Sequence, residues 1–224
     1  MKALYVASLG PRSLLEPDSR LWQGAGTERV PLTGTPLALQ PTAAIQVSWR
    51  DKPIGAVHRV SVSALHDGTT IAFRLEWPDA SENRTTENTT SFPDAAAIAF
   101  PVRAGAPLQT MGAPGLAVNA WYWRADEEGG VRIVVAEGIG SSRTVGQLAS
   151  ASRSAWKGGR WTVVITRPLA PRGSEPLALL EPGSRTQYGI AVWEGSHRER
   201  AGIKAFSGTW REIQIEAVPG SGRS

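Results

Sequence analysis

The chain has 224 residues, 41% of them hydrophobic and 20% charged, a balance that suits a folded globular chain and excludes a disordered or fibrous one. Its net charge of +4 arises from 24 basic residues scattered without a run among 20 acidic ones; nucleic-acid binding needs clustered cations and is not expected. There is no cysteine, which excludes disulfides, thiolate-held zinc, iron–sulfur clusters and haem attached covalently through Cys-x-x-Cys-His. A chain of this length buries roughly 70% of its unfolded surface. No apolar run reaches the roughly 20 residues that cross a bilayer. The opening "MKALYVASLGPRSLLEPDSR" lacks a secretory h-region, so neither a span nor a leader is expected.

In chain order, "AIQVSW" alternates apolar and polar residues and reads as a strand. "HRVSVSAL", with Val60 and Val62 inward, and "TTIAFRLEW", with Ile71, Phe73, Leu75 and Trp77 on one face, flank "HDG" and read as a hairpin. "NRT" and "NTT" read as turn chemistry, and so do the acids of "DGTT" and "WPDASEN", although a sugar-binding or calcium-binding sandwich could use such residues. "AAAIAF", "VRIVVAE" and "YGIAVWE" suit inner strands, whereas "RWTVVITR" and "REIQIEA" alternate. A short helix is expected around "VGQLASASRSAW", and another turn of helix in the Leu-rich centre of "RPLAPRGSEPLALLEPGSR". The tail "AVPGSGRS" is expected to be mobile. With 24 glycines and 16 prolines, long helices are hard to place. The expected fold is therefore all-β: an antiparallel β-sandwich with elaborated loops and one or two short helices, a single domain over 1–224.

Candidate chemistry is sparse. Of the three histidines, His58 opens a strand, His66 sits in the hairpin turn and His197 lies far away in sequence. They read as solvent-exposed rather than as a zinc site. "EGIGSSR" and "WEGSHRER" contain serine without the Gly-x-Ser-x-Gly elbow, so hydrolase chemistry is weakly supported. Nine tryptophans against four phenylalanines and three tyrosines is an unusual balance; most fit a sandwich core, and a subset could wall a flat ligand. Met111, the one methionine besides Met1, precedes a Gly-Ala-Pro-Gly turn. On its own it reads either as a flexible gap-filler or as a soft sulfur ligand to iron or copper.

Five stretches taken together resemble a known family. "PLALQPTAAIQVSWRDKP", "VHRVSVSALHDGTTIAFRLEWPDASEN", "FPDAAAIAFPV", "QTMGAPGLAVNAWYWRAD" and "GSHRERAGIKAFSGTW" are similar, in that order, to the haem b-binding gamma subunits of the ethylbenzene dehydrogenase and dimethylsulfide dehydrogenase type, in type II DMSO reductase complexes. The resemblance runs over about 36–215. It implies one non-covalent haem b with Met111 and Lys204 as axial ligands. Lys2, Lys52 and Lys157 stand outside the matching block. Asn119, Trp121 and Trp123 share one face of the strand after Met111, so either they or Val118, Ala120 and Tyr122 face the macrocycle; Arg198 and Arg200 are candidates for its propionates.

The resemblance further implies an electron-transfer role without substrate chemistry. Its partners are a molybdenum bis-pterin catalytic subunit, an iron–sulfur subunit and a c-type cytochrome or similar carrier. It places the chain in the periplasm, exported with a twin-arginine-tagged partner; a cytoplasmic complex or a trimmed chain also accounts for the missing leader. The rival reading is a haem-free carbohydrate-binding or adhesive sandwich, which requires exposed aromatics on one sheet face and nothing special about Met111.

Overall fold

The computed structural model describes residues 1–7, 11–85, 91–146 and 148–220, with the side chain of Pro11 also outside the description. "NTT", Gln147 and the end of the tail, 221–224, therefore lie outside the described residues.

Among the described residues fourteen strands form, in chain order: β1 Lys2–Tyr5, β2 Glu28–Pro31, β3 Thr33–Gly34, β4 Arg59–His66, β5 Thr70–Pro78, β6 Ala95–Pro101 and β7 Val118–Arg124, then β8 Arg132–Ala136, β9 Arg143–Val145, β10 Ala151–Trp156, β11 Arg160–Pro168, β12 Arg185–Trp193, β13 Ala205–Phe206 and β14 Arg211–Ile215. Two short α-helices accompany them, α1 Pro11–Leu15 and α2 Ala43–Trp49. The fold is all-β. One layer runs β10-β11-β5-β4-β1-β14-β12, with β2 paired to β4, and the other β12-β6-β7-β8-β9, with β13 paired to β12 and β3 to β13. β12 belongs to both, since Arg185–Tyr188 pair with β14 and Gly189–Trp193 with β6. The sandwich is not purely antiparallel, because β1 lies parallel to both β4 and β14.

The inner faces follow the period of two. Ile71, Phe73, Leu75 and Trp77 of β5 meet Ile98 and Phe100 of β6 and Trp121 and Trp123 of β7 in one buried cluster. Trp123 sits edge-on to Trp77 at 6.1 Å and to Trp161 at 5.1 Å between centroids, the geometry that aromatic quadrupoles favour. Burying each such side chain contributes on the order of 2–3 kcal/mol.

Three local expectations are corrected. "AIQVSW" is helix, not strand. Thr42 caps α2 by accepting the Ile45 amide at 3.3 Å, Ala43 and Ala44 favour the first turn, and Ile45 and Trp49, four apart, are half-buried while Val47 is 61% exposed. "VGQLASASRSAW" ends in strand β10, which pairs with β11 through a hairpin in which Gly158 and Gly159 take φ of 58° and 70°, the conformation a two-residue turn demands. The Leu-rich centre of "RPLAPRGSEPLALLEPGSR" forms no helix, and Leu177, Ala178 and Leu180 are buried; its prolines remove the amide donors that a helix needs.

A fourth correction concerns His66, which is buried at the end of β4 rather than exposed, and burial lowers its pKa. His58 and His197 are exposed.

Asn119 has a structural task. Its Oδ1 accepts from the buried Arg167 guanidinium at 2.9 Å and from the Ala178 amide at 3.3 Å. Arg167 also stacks 4.4 Å from the Trp121 ring, and desolvation lowers its pKa to about 9. Asn119→Ala strips a buried cation of a partner and is expected to cost about 2–4 kcal/mol. A urea midpoint unchanged from wild type contradicts this.

Candidate functional site

The outer face of the second layer is as apolar as its inner face, but built of small residues. Ala97 and Ala99 of β6, Ala120 and Tyr122 of β7, and Gly189, Ala191 and Trp193 of β12 point outward together. The register sets Ala99 between Gly189 and Ala120, and Ala97 between Ala191 and Tyr122. Two adjacent rows of glycine and alanine thus make a flat floor, with Tyr122 and Trp193, edge-to-face at 5.1 Å, at its margin.

Loops raise walls around this floor and enclose a cavity of about 450 Å³, within the usual size for a small-molecule site. One wall is the β6–β7 loop with Leu108, Gln109 and Met111; another is the β12–β13 loop with Ala201, Gly202 and Lys204; Thr35–Pro41 and the β8–β9 loop complete it. A Cβ on Gly189 would stand 2.9 Å from the Leu108 side chain, so the loop carrying Met111 is seated directly on the floor.

Met111 and Lys204, far apart in sequence, line this one cavity. Met111 adopts φ of 56°, with its amide donating to Leu108 O at 3.0 Å and its carbonyl accepting from Gly138 at 3.1 Å. The three non-glycine residues with positive φ among those described are Met111, Arg198 and Ala201. All lie in the two loops that supply Met111 and Lys204. Each such conformation costs roughly 1–3 kcal/mol and persists where neighbours impose it, commonly at functional sites. Gly112 next door, φ 92°, is obligatory, because a Cβ would come 2.7 Å from the carbonyls of Ala136 and Leu116.

The Lys204 amine lies 5.4 Å from the Trp193 ring centroid and 3.5 Å from Ala201 O, with no carboxylate paired to it among the described residues. Desolvation lowers its pKa from 10.5 to about 8. Between pH 8 and 10.5 the unfolded chain holds a proton that the folded chain has released, so stability rises with pH across that window and is flat below it. The gain is up to about 3 kcal/mol, less whatever solvent at the cavity mouth screens. Lys204→Leu is expected to remove this rise from thermal melts of the ligand-free chain; identical slopes contradict the assignment.

The remaining candidates lie elsewhere. Asn119, Trp121 and Trp123 face the sandwich core, and the alternate set on β7 supplies Ala120 and Tyr122 to the cavity. Val118 packs beside Ala99, Ala106 and Ala120 on the outer face. Arg198 borders a separate shallow cleft with Trp49 and Lys52, and the Arg200 guanidinium stacks 4.3 Å from Phe92. Neither lines the cavity. Sequence reasoning missed the floor itself, although its signal is visible as alanine at alternate positions in "DAAAIAFP" and Gly-x-Ala-x-Trp in "YGIAVW".

The sequence profile of the ethylbenzene dehydrogenase family matches residues 19–147 and 139–205. The chain is 32% identical over 219 residues to the chlorate reductase subunit gamma of Ideonella dechloratans, covering 96% of this chain and 85% of that one. It is 31% identical over 193 residues to a putative respiratory nitrate reductase heme subunit of Haloferax mediterranei, covering 86% and 65%. With the dimethylsulfide dehydrogenase subunit gamma of Rhodovulum sulfidophilum the identity is 25% over 216 residues, covering 92% and 78%. In fold it is similar to a family 9 carbohydrate binding module of Caldicellulosiruptor kristjanssonii, with a TM-score of 0.53 at 8% identity, covering 100% of this chain and 99% of that one.

Proposed function

The chain belongs to the ethylbenzene dehydrogenase family, and from that premise we propose that it is an electron-transfer subunit holding one b-type haem, non-covalently, between Met111 and Lys204. The observation that carries this reading is that these two side chains line one cavity whose floor is glycine and alanine. Small residues at the floor leave room for a planar macrocycle to lie flat. With no cysteine in the chain, thioether attachment is excluded, so axial ligation and apolar contact must hold the group.

The donor set fits. Methionine sulfur is neutral and soft, and as an axial ligand it raises the haem potential. A lysine amine binds a metal only when neutral; desolvation has already brought Lys204 to about 8, and competition from the metal removes the proton. When bound, the haem iron supplies one-electron oxidation and reduction. Met111 and Lys204 would hold the group through sulfur and amine, so that it would serve electron transfer rather than binding of oxygen or substrate. Tyr122, Trp193 and the two loops exclude water from the buried side.

On this reading the chain passes electrons within a molybdenum oxidoreductase complex. Its partners are a bis-pterin catalytic subunit, an iron–sulfur subunit and an external carrier such as a c-type cytochrome, and it works in the periplasm. The names of the relatives support a subunit role. The carbohydrate-binding rival needs a row of exposed aromatics, whereas the large hydrophobic residues exposed among those described are Val47, Ile139 and Leu179.

The test is a visible spectrum of the purified chain after incubation with hemin. A b-type absorption that sharpens on dithionite reduction, and changes in Met111→Ala, is expected. Protein that stays colourless contradicts the proposal.

A further inference from the structure

At one end of the sandwich three strands terminate on acids. Asp79 follows β5, Asp94 precedes β6 and Glu194 follows β12. These residues are 5%, 0% and 6% exposed. Each offers a carboxylate oxygen, and the three oxygens lie within 4.8 Å of one another. Oxygens that share a calcium ion at about 2.3–2.6 Å stand no more than about 5 Å apart, so a single ion can reach all three.

The hydrogen bonds around the cluster hold the carboxylates without neutralising them. Asp94 Oδ1 accepts from the Gly195 amide at 2.8 Å, and Oδ2 from the Asn83 amide and Trp161 Nε1, both at 2.9 Å. Glu194 accepts from the His197 amide at 2.7 Å and from the Ser196 hydroxyl at 2.8 Å. Asp79 Oδ1 accepts from the Ser81 amide at 3.1 Å, whereas Asp79 Oδ2 is buried without a well-formed hydrogen bond, the Trp77 indole N–H being the donor on its side of the carboxylate. Among the described residues no lysine or arginine forms an ion pair with any of the three. A fourth buried acid, Glu199, accepts the Glu194 amide at 3.2 Å and adds negative charge nearby. Buried charge of one sign without a counter-ion is costly, and a buried carboxylate oxygen without a well-formed hydrogen bond is unusual. Desolvation, with repulsion from neighbouring acids, accordingly raises Asp79 to about 7 and Asp94 to about 6.

We propose that Asp79, Asp94 and Glu194 bind one calcium ion, which ties the ends of β5, β6 and β12 together. The donors are all hard oxygens with no imidazole or thiolate among them, which disfavours zinc. A cage drawn from strand ends suits the flexible coordination of calcium better than the near-ideal octahedron of magnesium. The ion anchors Glu194, where the loop that delivers Lys204 begins. The site stands apart from the cavity and does not depend on the haem assignment.

The experiment is calorimetric titration of calcium chloride into the chelator-stripped full chain, with parallel thermal melts and a magnesium control. One calcium per chain is expected, with a melting temperature that climbs as calcium is added and a weaker response to magnesium at equal concentration. Asp79→Asn keeps the Ser81 cap and the side-chain shape, and is expected to weaken calcium binding at least tenfold; Glu194→Gln serves as a second variant should Asp79→Asn fail to fold. Absence of binding heat and of any melting shift in the wild-type chain overturns the proposal. So does tighter binding of magnesium, or wild-type affinity in the folded variants.

Discussion

A phenylalanine in place of Ala99 is expected to lower hemin uptake by about 100-fold, the upper end of the roughly 1–3 kcal/mol that overfilling a packed site costs, with a smaller loss of melting temperature than a phenylalanine in the core between the layers causes. Ala99 points out of β6 onto the cavity floor between Gly189 and Ala120. A ring there occupies the space assigned to the macrocycle and presses on Ala106, Val118 and Ala120 of the outer cluster, but lies outside the larger core between the layers. Its neighbour Ala96 points the other way, into the buried cluster with Trp123 and Trp161. Ala96→Phe is therefore the contrasting variant, with a lowered melting temperature from overpacking. Hemin titration followed by Soret absorption, with a melt on each protein, separates the two. Wild-type hemin affinity in Ala99→Phe contradicts the placement of the haem on this floor.

Replacing Lys204 by leucine has the second large effect. Losing supporting groups around a metal ligand already costs about 10–100-fold in affinity, so removal of the ligand itself is expected to cost at least about 100-fold. The pH profile is the more specific readout. Binding requires the neutral amine, and the pKa of Lys204 is about 8. Wild-type affinity for ferric haem is therefore expected to rise about tenfold per pH unit up to about 8 and then level off. In Lys204→Leu that slope is lost. The open axial position is also expected to admit small exogenous ligands that the wild-type chain excludes. A variant that keeps the wild-type slope shows that another group titrates with binding.

The sandwich was legible because most strands carry one consistent pattern: Ile71, Phe73, Leu75 and Trp77 alternate with polar or small residues and all reach the core. α2 was not, because "AIQVSW" satisfies both periods and the deciding feature is the capping oxygen of Thr42. β7 posed a harder problem. Both faces of "VNAWYW" are apolar, so periodicity defines two faces without saying which is inner. Size resolves it: Trp121 and Trp123 fill the space between layers, and Ala120 leaves room outside. Asn119 lies on the inner face because Arg167, remote in sequence, needs it there. Arg198 and Arg200 sit close to Lys204 in the chain, but left-handed turns at Arg198 and Ala201 carry them away from the cavity. Such turns leave no composition signal when the residue is not glycine.

Iron-edge X-ray absorption of the haem-loaded chain tests the central claim most directly. The chain has no cysteine and one methionine besides Met1, so a sulfur neighbour of the iron can be assigned to a single side chain by substitution. The expected result is one sulfur scatterer alongside the nitrogens in the wild-type protein and none in Met111→Leu. An iron shell without sulfur, or one whose sulfur persists in Met111→Leu, contradicts the account.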